Sequence, residues 1–371
     1  MKLTIGGSPC THWSIAQTKN RETEPSGIGW ELFENYLIAL DKFKPDYFLY
    51  ENNKSMAPAI RTEITKRLGV EPICINSALV SAQNRKRLYW TNIPGVQYPE
   101  DRGILLRDIL ETGVAFREKA YTLRASHGPH GSESSVLKTI KEPWKFSFNG
   151  VAEPIRVGTI ESSAKNQDFD SQQYRVYSPD GKIVTLCGQG GGVGAKTGLY
   201  ATPFDCESEK QSKSTSFYEV RNGLITIKDK QYPIKLADGF YIIRKLTVTE
   251  CKRLQTVPDS YVFPVSDTQA YKMLGNGWTV DVIAHILSYC PGITAEPLDV
   301  LSMYDGMACG HIALDQLGAH IQRYRATEID KYAIKTACHN FPDIIQIGDA
   351  FQVRDWARFA FQPSGQMVIN L

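Results

Sequence analysis

The sequence predicts an α/β fold: a mainly parallel sheet covered by helices on both faces, with a smaller β-rich lobe set into the chain. Three observations carry this. Short apolar runs alternate with amphipathic stretches through residues 1–95, the alternation of strand and helix that builds a parallel sheet. Between about 105 and 243 that rhythm stops and Gly, Ser, Thr and Tyr abound. It returns from Thr249 and opens afresh after a Pro- and Gly-bearing linker at 291–297 (PGITAEP).

Each element has a local reason. Residues 2–5 read as a strand running into the turn at Gly6 and Gly7. Residues 30–43 read as a helix, because Leu32, Phe33, Tyr36, Leu37 and Leu40 recur at helical spacing. A short buried strand follows at 46–50 (DYFLY), then a helix at 60–68 and strands at 71–75 and 88–93. The irregular segment carries β-like pieces at 175–177, 183–186, 224–227 and 240–243. Helices are expected near 250–255 and over 280–287. Beyond the linker come strand 299–303, a turn at 304–310, helix 312–317, strand 323–327, helix 331–339 and strand 344–347.

Composition bounds the function. The chain has 371 residues, enough for two or three domains or one large domain with an insertion. At 42% hydrophobic and 22% charged residues it is neither disordered, collagen-like nor a coiled coil. A net charge of +2 leaves nucleic acid open as a partner, since a local basic cleft matters more than the sum. The eight cysteines (Cys10, Cys74, Cys187, Cys206, Cys251, Cys290, Cys309 and Cys338) include no CxxC pair, so no metal is expected. The opening MKLTIGGSPC lacks a signal-peptide core, and no run reaches the roughly 20 apolar residues of a membrane span. The expectation is a cytoplasmic protein with no membrane partner.

Several clusters carry chemistry. In Gly6-Gly7-Ser8-Pro9-Cys10 the thiol stands just past a strand, at the rim where open α/β sheets gather their ligands. Backbone amides and nearby cations can activate such a thiol, and the alternative is a buried structural cysteine. Glu51-Asn52-Asn53 follows a second strand, where a carboxylate caps a helix or handles protons. In Gln83-Asn84-Arg85-Lys86-Arg87 alternating arginines are suited to hold an anion or polar ring, or form a solvated basic edge.

The turn from Tyr304 through Asp305 and Gly306 to Gly310 lies between strand and helix, the place where glycines let a nucleotide-like ligand approach the backbone. Glu328, followed by Ile329, ends the next strand about twenty residues on, where an acid accepts from ribose hydroxyls. Asp349, before Ala350, ends the third strand and is suited to accept from an adenine amino group. By contrast, residues 190–197 (GGGVGAKT) imitate a phosphate-binding loop but have Ala195 before the Lys and no strand-loop-helix setting. They are read as a DNA-contacting loop.

Together these motifs resemble the DNA cytosine-5 methyltransferases, both the phage and bacterial enzymes and the catalytic domain of the vertebrate de novo enzymes. GGSPC resembles the catalytic loop, ENN the ENV motif with Asn53 in place of valine, and Gln83, Arg85 and Arg87 match QxRxR. Residues 244–259 resemble the motif supporting the recognition lobe, and GNGW, with Asn276 and Trp278, a late motif of the cofactor pocket. LSMYDGMACG, EID and GDA resemble the S-adenosylmethionine-binding motifs.

The resemblance implies a Rossmann-like methyltransferase sheet, with S-adenosylmethionine as cofactor and double-stranded DNA as partner. It implies residues 1–104 and 244–290 as parts of the large catalytic domain, 105–243 as the target-recognition domain and 291–371 as the cofactor-binding part. Cys10, Glu51, Arg85 and Arg87 are the expected catalytic residues. Tyr304, Asp305, Gly306, Gly310, Glu328, Ile329, Asp349, Ala350, Asn276 and Trp278 are expected at the cofactor. Residues 11–26 are expected to form a mobile loop over a flipped base, with Gly27 and Gly29 at its end. Basic residues of the lobe (Arg117, Lys119, Arg124, Arg156, Lys165, Arg175, Lys196) suit phosphates and a groove. A monomer working with a cognate restriction endonuclease is expected. The rival readings are a catalytically silent DNA-binding homologue and an RNA (tRNA) cytosine-5 methyltransferase. One departure stands out: the cofactor motifs follow the Pro-Cys motif instead of preceding it, which implies a circularly permuted sheet built from both ends of the chain.

Overall fold

The computed structural model describes residues 1–14, 21–111, 153–160, 174–186, 198–203, 217–227 and 230–355. The chain divides into two compact units, one of Met1–Ser77, Lys86–Glu100 and Gln255–Leu371, the other of Ala78–Arg85 and Asp101–Leu254.

Among the described residues the first unit holds strands β1 (Lys2–Gly6), β2 (Tyr47–Asn53), β3 (Ile73–Asn76), β4 (Lys86–Thr91), β12 (Leu298–Met303), β13 (Ile321–Thr327) and β14 (Ile345–Gly348). They form one sheet in the order β14-β13-β12-β1-β2-β4-β3. The pairs from β14 through β2 are parallel, and β4 runs antiparallel to both β2 and β3. The centre of this sheet joins the two ends of the chain, with Lys2 opposite Asp299 and Gly6 opposite Met303. The sheet is therefore assembled from both ends, as the permuted motif order implies.

Helices cover both faces. They are α1 (Gly27–Phe43), α2 (Pro58–Leu68), α4 (Asp267–Asn276), α5 (Val280–Ser288), α6 (Cys309–Gln316) and α7 (Lys331–Asn340), α3 belonging to the other unit. Successive strand residues face opposite ways. A side chain at Gly6 would press on Tyr36 of α1, whereas one at Gly310 of α6 would press on Ile5. The α1 face is packed with Phe33, Tyr36, Tyr50, Ile60, Ile64, Trp90 and Met303, all essentially inaccessible. Pro58 opens α2 where its missing N–H costs nothing, and Gly69 closes it at φ 72°.

The second unit carries β5 (Arg156–Thr159), β6 (Arg175–Tyr177), β7 (Leu199–Pro203), β8 (Phe217–Arg221), β9 (Leu224–Ile227), β10 (Lys230–Pro233), β11 (Gly239–Arg244) and helix α3 (Val248–Leu254). The strands pair in the order β10-β9-β8-β11-β7-β6-β5, antiparallel throughout except β6 with β7. A bridge between Gly158 and Ile234 brings the two ends of this sheet together, which protects its edges. The expected strand at 183–186 is reduced to a single bridge between Ile183 and Gln83. Glu250, wholly buried, accepts from both Arg244 terminal nitrogens at 2.7 and 2.8 Å and from the backbone of Thr247 and Glu111. Four partners satisfy a carboxylate that burial would otherwise penalise by several kcal/mol. The loop 190–197 and the basic residues Arg117, Lys119, Arg124, Lys165 and Lys196 lie outside the described residues.

Candidate active site

The carboxyl ends of β1 and β2 lie side by side, Gly6 pairing with Tyr50. The chain leaves β1 through Gly7, Ser8 and Pro9 and enters a 3-10 turn, Cys10–His12. The side chain of Cys10 lies outside the described residues. Glu51 continues β2 beside this exit, close enough that a side chain on Gly7 would collide with the Glu51 carbonyl. Only glycine permits that approach.

Glu51 is held from two sides. Arg87 Nε lies 3.1 Å from Oε1, and the Trp278 indole N–H donates to Oε2 at 3.0 Å. Arg87 pairs in the ladder with Asn53, not Glu51. Its side chain therefore reaches a diagonal neighbour on the same face. The exit loop is braced separately: Ser8 Oγ lies 2.7 Å from Tyr50 Oη, and Asn52 Nδ2 donates to the Ser8 carbonyl at 3.1 Å. All three side chains are buried. Arg85 is also buried and donates to the Leu186 carbonyl, within the second unit.

The flanks of the expected mobile loop are pinned. Trp13, fully buried, donates to Glu22 Oε2 at 3.0 Å, and Arg21 donates to the carbonyls of Trp13 and Ser55. Gly29 packs so tightly on Trp13 and Glu22 that it acts as a close-contact glycine and not as a hinge. Residues 15–20 of the expected loop lie outside the described residues.

At the ends of β12 to β14 the cofactor motifs converge. Tyr304, Gly306 and Ala308 all have φ near +60°, coiling the turn tightly ahead of α6. Open space surrounds the position a Gly306 side chain would take. Glu328 accepts from the Gly306 amide at 2.8 Å, and from the Ile329 and Asp330 amides at 2.7 and 2.8 Å. Ile329 beside it is 74% exposed, an unusual state for an isoleucine. Asp349 caps the following 3-10 turn by accepting from Phe351 N, and Ala350 is buried in the core behind it. Asn276 ends α4 and is exposed.

Asp305 points inward. It accepts from Ser302 Oγ at 2.6 Å and Tyr324 Oη at 2.7 Å, and its second oxygen has no partner among the described residues. Burial pushes its pKa up to about 7, against those two hydrogen bonds. The structure thus makes Asp305 an anchor under the turn. Gly310 is likewise a packing glycine against Ile5 and Tyr324.

Open backbone at Gly306, an acid oriented by amides and an exposed apolar residue beside it fit a nucleoside with a ribose diol. Residues 1–291 match the family model of C-5 cytosine-specific DNA methylases, and the chain belongs to that family: it is an S-adenosylmethionine-dependent DNA cytosine-5 methyltransferase. Among relatives, the type II methyltransferase M.HpaII of Haemophilus parainfluenzae is 58% identical over 76% of this chain and 69% of its own. The orphan methyltransferase M.SPRI of Bacillus phage SPR is 24% identical over 76% and 81%. The solved methyltransferase EhMeth of Entamoeba histolytica is 13% identical, with a TM-score of 0.42 over 77% of this chain and 76% of that one. The strands β12 to β14 lie beyond the residues matched by the family model and share one sheet with β1 and β2.

Sequence reading groups Trp278 with the cofactor residues and gives no sign of its bond to Glu51, 227 positions away in the chain. Ser8, Tyr50 and Asn52 are missed as a brace, although the run of polar residues entering a buried strand is a usable signal.

Proposed function

We propose that the chain methylates C5 of a cytosine within one specific duplex DNA sequence, through a covalent adduct between Cys10 and C6 of a base turned out of the helix. C5 of cytosine is a weak nucleophile, so the ring must first be charged with electrons. The Cys10 thiolate adds to C6, and the electron pair moves toward N3. Glu51 hydrogen-bonds at N3 and carries the proton there, with Arg87 at the O2 edge offsetting developing negative charge. Loss of the C5 proton at the end releases the Cys10 thiolate. A base inside a duplex cannot meet these groups, so the cytosine is flipped.

Glu328 and the Gly306 turn would hold the cofactor's ribose, Ile329 its adenine face and Asp349 the adenine amino group. Tyr304 shapes the same turn and Asn276 its rim, while Ala350 and Gly310 pack behind it and Asp305 anchors it from below. When bound, S-adenosylmethionine supplies an electrophilic methyl group. The second unit reads the DNA sequence, Arg156 and Arg175 facing phosphate among its basic residues, and Arg85 steadies the segment leading into Arg87. The protein acts as a cytoplasmic monomer alongside a restriction endonuclease of the same specificity.

The observation that carries this reading is Glu51, held by Arg87 and Trp278 beside the exit of the Gly-Gly-Ser-Pro-Cys loop. The test is methyl incorporation into duplex DNA and into tRNA, followed by bisulfite sequencing of DNA from expressing cells. Methylated cytosines confined to one sequence are expected. Incorporation into tRNA alone, or into neither, overturns the proposal.

A further inference from the structure

We infer that Trp278 is a positioning residue for the covalent step, acting through Glu51. This rests on the reading of Glu51 as the group that supports the cytosine ring. The indole N–H has one hydrogen to give, and it donates to Glu51 Oε2 at 3.0 Å. Arg87 takes the other oxygen at 3.1 Å. With the indole N–H bonded to one oxygen and the Arg87 cation against the other, rotation of the carboxylate about its terminal torsion, which is otherwise broad, is opposed from both sides.

The indole is itself held. Gln255, 1% exposed, donates through Nε2 to the carbonyls of Leu274 and Gly277 at 2.5 and 3.3 Å, and accepts from Thr279 Oγ1 at 2.9 Å. Thr279 Oγ1 lies 2.8 Å from Ser77 Oγ. The residues before and after Trp278 are thus both fixed to one buried amide. A side chain at Gly277 would press on the Cys309 and Met307 sulfurs at the cofactor turn. One short segment therefore passes close beside the cofactor turn and bonds the proton-handling carboxylate through its side chain. A side chain with an N–H is needed there because a carboxylate at this depth, freed on one oxygen, would turn toward whichever water reached it.

The experiment isolates the covalent step from the cofactor. Addition of Cys10 to C6 lets C5 take a solvent proton; reversal expels the thiolate and leaves tritium from C5 in water. Tritium release from [5-³H]cytosine duplex DNA is measured with no S-adenosylmethionine present. Trp278→Phe keeps the ring and removes the N–H, and release should fall about 10- to 100-fold, the weight of a hydrogen bond to a charged group. Replacing Trp278 with benzothienylalanine, which keeps the full indole outline and substitutes sulfur for N–H, should reproduce the loss. Release within about twofold of wild type in that isostere overturns the inference, whatever happens to cofactor affinity. Glu51→Ala serves as the reference. If it retains release, the reading of Glu51 itself fails; if it abolishes release while the isostere does not, only the role of Trp278 fails.

Discussion

Arg87 and Glu51 meet across two antiparallel strands without being ladder partners: the Nε to Oε1 distance is 3.1 Å, while the backbone of Arg87 pairs with Asn53. Both side chains are nearly buried, at 13% and 12% exposure. Solvent screens such a pair weakly, so its geometry matters more than that of a surface ion pair. Arg87→Ala should lower kcat for methyl transfer about 10- to 100-fold, because the nearly buried carboxylate loses the cation paired with one of its oxygens. Arg87→Lys should recover little, since an ammonium lacks the planar fork that reaches along the strand. Steady-state kinetics on duplex DNA separate the two variants.

Cys10→Ala should abolish methylation and leave S-adenosylmethionine affinity within about twofold. Duplex DNA carrying 5-fluorocytosine at the target should trap the wild-type protein as a denaturation-resistant adduct, because fluorine cannot leave as a proton does. An equal yield of adduct with Cys10→Ala would reassign the nucleophile.

Glu328→Ala should weaken S-adenosylmethionine binding by about 1–3 kcal/mol, the range for a charge-assisted hydrogen bond. It also strips the Gly306, Ile329 and Asp330 amides of their common acceptor. Binding should therefore weaken more than in Asp349→Ala, where a single capping bond to Phe351 N is lost. Isothermal titration of both variants tests the order.

Asp305 gives the fold a pH dependence of definite sign. Its folded-state pKa is raised from the ordinary 3.8 to about 7 by burial. The folded protein thus holds this proton more tightly than the unfolded chain. The resulting stabilisation is complete below about pH 4 and is lost as pH rises toward 7. Urea midpoints measured at pH 5 and pH 8 should fall with pH in the wild type, and by less in Asp305→Asn, which cannot ionise.

Residues 1–294 and 295–371, produced separately, should be poorly soluble, because each leaves one side of the β1 and β12 pair unsatisfied. Produced together they should reassociate and recover part of the methylation, with activity falling on dilution. Full activity from 1–294 alone would remove 295–371 from the cofactor half.

Much of the first unit is legible in sequence because its strands are apolar, short and punctuated by Gly or Pro. The strand expected at 2–5 becomes Lys2–Gly6, and that at 323–327 becomes Ile321–Thr327. Helix α4 is not foreseen, since DTQAYKMLGN offers only Ala270, Met273, Leu274 and Gly275 to the core and carries no extended apolar stripe. Strand β10 is equally silent: KQYP is exposed at three of four positions, so alternation never develops. The catalytic motifs are visible because glycine and charge sit at strand ends. Their interlocking is not, because the bonds that decide it join Glu51 to Trp278 and Asn52 to Ser8. Such pairs are set by topology and not by spacing.

The place of β1 in the sheet has a consequence for biosynthesis. One of its two neighbours, β2, emerges from the ribosome soon after it, but the other begins at Leu298. At roughly 5–20 residues per second, about 15–60 s pass before that partner exists. For that interval one edge of a strand destined for the buried core of the sheet is open, and any neighbouring polysome offers a competing edge. Yield of native protein should therefore follow translation density and holdase supply more closely than it follows the equilibrium stability of the finished sheet.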